Sequence, residues 1–540
     1  MTVFLVITLF AGFPVKSQDP IIIGVINAHG WPQGDSIWNG ANMAKDKVNA
    51  EGGILGHPVE LIDIDEHAVD LRPELAWEET LAALEAGAQF LVGGFRSEVC
   101  FPLREDVMDY AAANGRPIWW VTGAATDELI DCGGGALACG KCVRCQYERY
   151  KYMFRLTPMN STTVVGQLFA FVQAEVVPKL AALYGDPVKT YIIMEDLISW
   201  DKMYAVSCGA DLEPEVLPGV SNPYPTPPAP GAALGTHVTI VGRTRPSQFV
   251  EDLSAEFAEA ESLGARLIFY LFSAVGGISF SRQYGELEVP AVIVGVNVEG
   301  QLQTFWDTTF GYCEYESFLN SMGTATPIVP GVTDQFWRDY YDNFGGYPVY
   351  TGFAAYDAII ALDETIEAAG TWPLSCDELI PLVEPSERLG ILGNFKYTGP
   401  NGKHHDVWVH PSAKSPASYG DPPYVRGLLV QWQAGRQEAI WPADQTWSKQ
   451  YALPPWMYAD YVQDPGDDSP FADVTYDGSV DIFDIVTIAG SFGQTPGGPL
   501  ENPNEDWNAR ADVKKDGNVD IFDIVTAAAD FGESITLPIP

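Results

Sequence analysis

At 540 residues the chain is long enough for two or three domains, and a hydrophobic share of 46% can fill sizeable cores. Lys and Arg number 30 against 72 Asp and Glu, a formal net charge of −42, which argues against nucleic acid and anionic membrane surfaces as partners. The acid is uneven: residues 464–540 carry 16 Asp and Glu with 3 Lys and Arg, a net of −13 that leaves −29 for the rest.

Val3–Phe13 is an apolar run of eleven, too short to span a bilayer and suited to the core of a signal peptide. Residues 1–17 are therefore read as an export signal, with a buried first strand as the rival. A basic start and a clean small-x-small cleavage site are both missing from it. No later segment reaches ~18 uninterrupted apolar residues, so no membrane-spanning helix is expected.

From Ile21 the sequence alternates strands with amphipathic helices. Ile21–Ile26 reads as a strand, Ser36–Asn49 as a helix, Val59–Asp65 as a strand, then a helix ending near Gly87 and a strand from Leu91. After a pause at 131–150 the alternation resumes with strands at Thr190–Met194, His237–Val241, Ala265–Phe272 and Pro290–Val296, and a helix at Ser247–Leu263. This pattern predicts two α/β lobes with doubly wound parallel sheets and right-handed crossovers. Tyr350–Ala369 is a long apolar helix that would return the chain to the first lobe, and Gly390–Trp441 reads as alternating strands. Two such lobes joined by several crossings predict a hinged clam with a cleft.

Ligands of parallel sheets bind beyond the carboxyl ends of the strands. Two segments suit that place: Leu91–Ser97, which breaks on Gly93-Gly94, and Pro117–Thr126, which ends in Gly123-Ala124-Ala125-Thr126. Ser97 and Thr126 supply hydroxyls, while Ala124 and Ala125 leave backbone groups bare for a small zwitterion. The loop Gly30–Gly34 offers Trp31 as an aromatic wall or as a core residue.

Pro454 to Pro470 reads as a linker. Beyond it, residues 473–487 recur as 512–526, a period of 39. The first copy sets Asp473, Thr475, Asp477, Ser479, Asp481 and Asp484 at the alternating positions of a Ca²⁺ loop, with Gly478 at the sharp turn. The second sets Asp512, Asp516, Asn518, Asp520 and Asp523, with Lys514 at the third position, so the second of the two Ca²⁺ sites is expected to be weaker. Cys132, Cys139, Cys142 and Cys145 crowd together and read as disulfides or, less simply in an exported chain, as a metal knuckle. Cys100, Cys208, Cys313 and Cys376 are scattered.

Enzyme motifs are missing: there is no Gly-x-Ser-x-Gly, no His-Glu-x-x-His and no phosphate loop. His404-His405-Asp406 follows a glycine turn and is expected to be a solvated hairpin.

Two resemblances add to this. Residues 470–533 resemble a dockerin, the duplicated calcium module that binds cohesin domains; by that resemblance Ile482-Phe483 and Ile521-Phe522 choose the partner, and the similar copies permit two orientations. The first 445 residues resemble type I periplasmic solute-binding proteins of ABC importers, in the branched-chain amino-acid branch. The match runs through Ile21–Val25, Asn49–Gly56, Gly93-Gly94, Gly123–Thr126, Phe154–Pro158, Ala354–Ala358 and Gly390–Gly402. It implies that Ser97, Ala125 and Thr126 hold an amino-acid head group and that an ABC permease receives the solute. In the second lobe it implies an aromatic wall at Trp200, after the acidic strand end Glu195-Asp196, and an acid for the ammonium at Glu299, in Asn297-Val298-Glu299-Gly300; such a pair suits an amine, and the alternatives are ordinary packing for Trp200 and a solvated loop acid for Glu299. The expected division is a signal at 1–17, a solute-binding domain at 18–453, a linker at 454–470 and a dockerin-like domain at 471–540. Rival uses of the same clam are a ligand sensor and a tethered hydrolase.

Overall fold

A computed structural model describes residues 18–131, 141–157, 159–195, 237–320, 326–407, 424–425, 427–443, 448–458 and 482–490, and positions 521, 524, 525 and 527. Most of the two calcium loops, with Trp200, Cys132 and Cys139, lies outside these residues.

The first lobe is a five-stranded parallel sheet in the order β2-β1-β3-β4-β5, formed by β1 (Ile21–Asn27), β2 (Val59–Asp65), β3 (Phe90–Gly93), β4 (Ile118–Val121) and β5 (Met153–Arg155). The inner strands are apolar on both faces because helices cover each side. At the edge, β2 mixes apolar and acidic residues and leaves Glu60 and Asp63 exposed. Helix α1 (Pro32–Ala50) buries Ile37, Ala41, Ala44 and Val48. It begins four residues ahead of the expected start because Pro32 supplies a first-turn φ and needs no donor. Helices α2 (Pro73–Glu85) and α3 (Ser97–Asn114) complete the crossovers.

The second lobe is a seven-stranded sheet in the order β14-β13-β10-β9-β8-β6-β7. Its parallel part comprises β6 (Val188–Met194), β7 (Val238–Thr244), β8 (Leu267–Phe272), β9 (Val292–Asn297) and β10 (Ser317–Asn320). The hairpin β11 (Glu387–Gly390) and β12 (Gly393–Lys396) stands apart; β13 (Leu428–Gln433) then adds antiparallel to β10, and β14 (Arg436–Trp441) antiparallel to β13. The expected helix Ser247–Leu263 is shorter, Ser254–Ser262, since Gln283 Oε1 accepts the Leu253 N–H and fixes the preceding turn.

The chain crosses between lobes three times: after β5, after β10 and before β13. On the second crossing the helix Tyr350–Ala369 returns to lie along α1. The approach is backbone to backbone: a Cβ on Gly40 would stand 1.9 Å from the Gly352 carbonyl oxygen, and one on Gly352 2.3 Å from Ser36 Oγ. Among the described residues, Ser161–Tyr184 is long and apolar enough to cross a membrane. Here it packs inward, with Phe169 against Phe269 and Phe171 against Trp441 and Tyr451.

One expectation is corrected. His405 is fully buried rather than solvated, stacked on Phe154 at 3.8 Å, with Nδ1 2.9 Å from the Met153 carbonyl and Nε2 3.0 Å from Glu384. The glycine turn does not project. Gly402 lies so close to the chain that a Cβ there would stand 1.7 Å from the Glu384 carbonyl, and this draws His405 and Asp406 under the first lobe.

Candidate functional site

In each lobe the loops beyond the carboxyl ends of the parallel strands converge on the cleft side. In the first lobe the break after β3 depends on glycine. Gly93 and Gly94 have φ of 110° and 99°, and a Cβ on Gly93 would stand 2.2 Å from the Ile26 carbonyl oxygen. The chain then turns sharply enough for Ser97 to open α3.

Ser97, Ala124, Ala125 and Thr126 come together, and all are buried. Ser97 Oγ accepts the backbone N–H groups of Ala125 at 3.1 Å and Thr126 at 3.2 Å. The Ala125 carbonyl accepts from Ser161 N, Ser161 Oγ and Arg155 Nη1, and the Thr126 carbonyl from Arg155 Nη2. Backbone groups that the sequence offers to a ligand are thus held by the protein itself. Arg155 is wholly buried and reaches Asp406 at 3.5 Å through Nε; Asp406 in turn accepts from Asn160 and from the Val407 N–H.

Beside this turn stands Arg96, 5% exposed. Its Nε contacts Glu98 Oε2 at 3.0 Å, and its guanidinium lies 5.6 Å from the centroid of Trp31, whose ring meets Phe95. Trp31 is half-buried, so it is neither a free wall nor a full core residue. Glu66, fully buried, accepts the N–H groups of Phe95 and Arg96 and fixes this loop; burial pushes its carboxyl up to about 7.

The second lobe repeats the device. Glu195, one residue beyond β6, accepts Ser273 N, Ser273 Oγ and Ala274 N at 2.8, 2.8 and 3.1 Å. Burial pushes it up to about 7, against those hydrogen bonds and the charge of Arg96. That last effect places an acid of one lobe within the field of a cation of the other. Glu299 follows β9, is 9% exposed and is raised by burial. Its loop is fixed by Asn297, which accepts the Gly300 N–H and donates to Gly277 O, Ser281 Oγ and Glu316. Among the described residues, the side-chain amide of nearby Gln301 has no hydrogen-bond partner, nor has that of Gln33 at the start of α1.

Trp200 lies outside the described residues, as do Asp473, Thr475, Asp477, Ser479, Asp481, Asp512, Asp516, Asn518, Asp520 and Asp523; Asp484 is described only as backbone within the helix Ile482–Gly490. Cys142 and Cys145 have their sulfurs 3.1 Å apart. Arg96, Glu66, Glu195 and Arg155 are the cleft-side residues that the sequence reading did not select. Arg96 had a signal, a lone cation between Gly-Gly-Phe and a helix-opening serine.

The periplasmic binding protein family matches residues 23–189. No curated protein matches the chain. Among solved structures, a protein of Silicibacter pomeroyi named for a branched-chain amino acid ABC transporter is 18% identical with a TM-score of 0.61, over 81% of this chain and 100% of its own. A branched-chain amino acid transporter substrate-binding protein of Streptococcus pneumoniae, solved with isoleucine, is 15% identical with a TM-score of 0.56, over 78% and 98%. A solute-binding protein of an ABC transporter from R. palustris, solved with benzoate, is 15% identical with a TM-score of 0.54, over 78% and 95%. These structures are named as solute-binding and transport proteins, not as enzymes. The chain has the two-lobed α/β fold of the type I periplasmic binding proteins.

Proposed function

We propose that the chain is an extracytoplasmic solute-binding protein that closes on a small zwitterion, an amino acid or a close relative, and delivers it to an ABC importer. The observation that carries this is the polarity of the two lobes. The first presents donors, with Arg96 and the N-termini of α1 and α3, whereas the second presents Glu195 and Glu299. A zwitterion between them satisfies both, and closure removes it from water. The test is a thermal-shift screen of the protein against amino acids, sugars and nucleosides. An amino acid at 100 times its Kd should stabilise by about 2.7 kcal/mol. Glu299→Gln should lose about tenfold in affinity for it. A response only to sugars or nucleosides would discard the zwitterion.

The tail is read as a calcium-dependent docking module for a cohesin-like partner. Its two copies support this by using equivalent faces. Ile482 and Val486 are exposed while Ile488 is buried, and 39 residues on Ile521 and Val525 are exposed while Ala527 is buried. Replacing Asp473 and Asp484 together by Ala should abolish calcium-induced ordering of the first loop, read by calorimetric titration with Ca²⁺. Retained high-affinity binding of two ions would remove the reading.

A further inference from the structure

The Ala124–Thr126 turn and Arg96 differ in what they leave available. Both N–H groups and both carbonyls of Ala125 and Thr126 have internal partners. Opening that turn for a ligand would strand the Ser97 hydroxyl and the buried Arg155 guanidinium. Arg96 has only its Nε engaged, and among the described residues neither Nη has a hydrogen-bond partner. The guanidinium stands 5.6 Å from the centroid of the Trp31 ring, and the Arg96 backbone N–H is fixed by Glu66. Among the described residues, two further buried donors in the same lobe are unpartnered, Trp31 Nε1 and the amide of Gln33, which is wholly buried.

A fork of two free N–H edges matches the two oxygens of a carboxylate. Glu98 holds the guanidinium in place through Nε but is itself an anion, so it competes with an incoming one. Glu195 of the second lobe feels the same charge, which favours its ionised form.

We propose that Arg96, rather than the Ala124–Thr126 turn, is the anion anchor of the cleft, and that it makes a carboxylate on the solute obligatory. The solute carboxylate lies against Nη1 and Nη2 over the edge of Trp31, while the Ser97 and Arg155 hydrogen bonds keep the neighbouring turn as a rigid floor. This deepens the zwitterion reading and rests on it; it moves the specificity determinant from backbone groups to one side chain.

The experiment is calorimetric titration of the full chain with amino acids and with the matching amino-acid amides, in which a neutral group replaces the carboxylate. The wild-type protein should bind an amino acid, and the amide at least ~30-fold more weakly. Arg96→Gln should weaken binding of the acid by ~30-fold or more, and Arg96→Lys by less, since a point charge keeps attraction without the fork. Glu98→Gln keeps an oxygen at Nε and removes the competing charge, so it should tighten the acid by ~3-fold. A purely structural role for the Arg96–Glu98 pair moves this variant the other way. Should Arg96→Gln fail to melt cooperatively, Glu98→Gln and the amide comparison decide alone. Acid affinity within threefold of wild type in folded Arg96→Gln, or weaker binding in Glu98→Gln, overturns the anchor while leaving the zwitterion reading intact; equal affinity for acid and amide overturns both the anchor and the zwitterion. Failure of the wild-type protein to bind any amino acid overturns both.

Discussion

Replacing Arg155 by Met is expected to cost about 3–5 kcal/mol of stability, the range for removing one partner of a buried charge pair. The side chain is wholly buried and joins three segments distant in sequence. Its Nη groups satisfy the carbonyls of Ala125, Thr126 and Met159, and its Nε faces Asp406. Met fills the volume but returns none of these bonds. Burial already pushes Asp406 up to about 6, and Asp127 upward too, with Arg155 among the influences holding both down. Without the guanidinium both acids would have to be protonated or unpaired. The same bonds tie the Ala125–Thr126 turn to Asn160, which caps the helix that carries the chain into the second lobe. Thermal unfolding of Arg155→Met and Asp406→Asn against wild type would measure this. A loss below about 1 kcal/mol in both, the level of an ordinary exposed ion pair, would show the cluster to be dispensable.

The sheets were readable from the sequence for a physical reason: strands buried on both faces, such as Leu91–Gly93 and Ala265–Phe272, cannot avoid being apolar, and the helices between them cannot avoid a stripe. Helix ends were less readable. Pro32 moved the start of α1, and Gln283, distant in sequence, shortened the helix after Ser247. The site was half visible. Ser97 and Ala124–Thr126 do meet, because the rule about strand ends is topological and needs no side-chain detail. Which of their polar atoms were already occupied depended on Arg155 and Ser161, and no local pattern announces that pairing. The burial of His405 is hidden from the sequence for a similar reason: a glycine turn marks a change of direction, but whether it points to water depends on what lies beneath.

Stability is expected to fall as pH rises from 5 to 8, while affinity for a zwitterion rises over the same interval. Burial pushes Glu66, Glu195, Glu316 and Asp357 each up to about 7. A raised carboxyl binds its proton more tightly folded than unfolded, so its contribution is complete below the unfolded value, near 4, and is lost as pH climbs through about 7. At about 1.4 kcal/mol per unit, one unit realised by each of the four amounts to about 5 kcal/mol. His405 acts oppositely: burial lowers it, so its contribution is present above about 6.5 and is lost on acidification. The optimum therefore lies in the mildly acidic range, and melting should drop by several degrees from pH 5.5 to pH 8; a flat or rising profile would contradict it. Binding has the other sign, because an ammonium beside Glu195 and Glu299 favours their ionised forms. Saturation near pH 7 should release about half a proton from Glu195, seen as a buffer-dependent heat in calorimetry. Glu195→Gln should remove most of that release. The same carboxylate thus weakens the empty protein at neutral pH and strengthens the filled one, which ties closure of the lobes to the arrival of a cation.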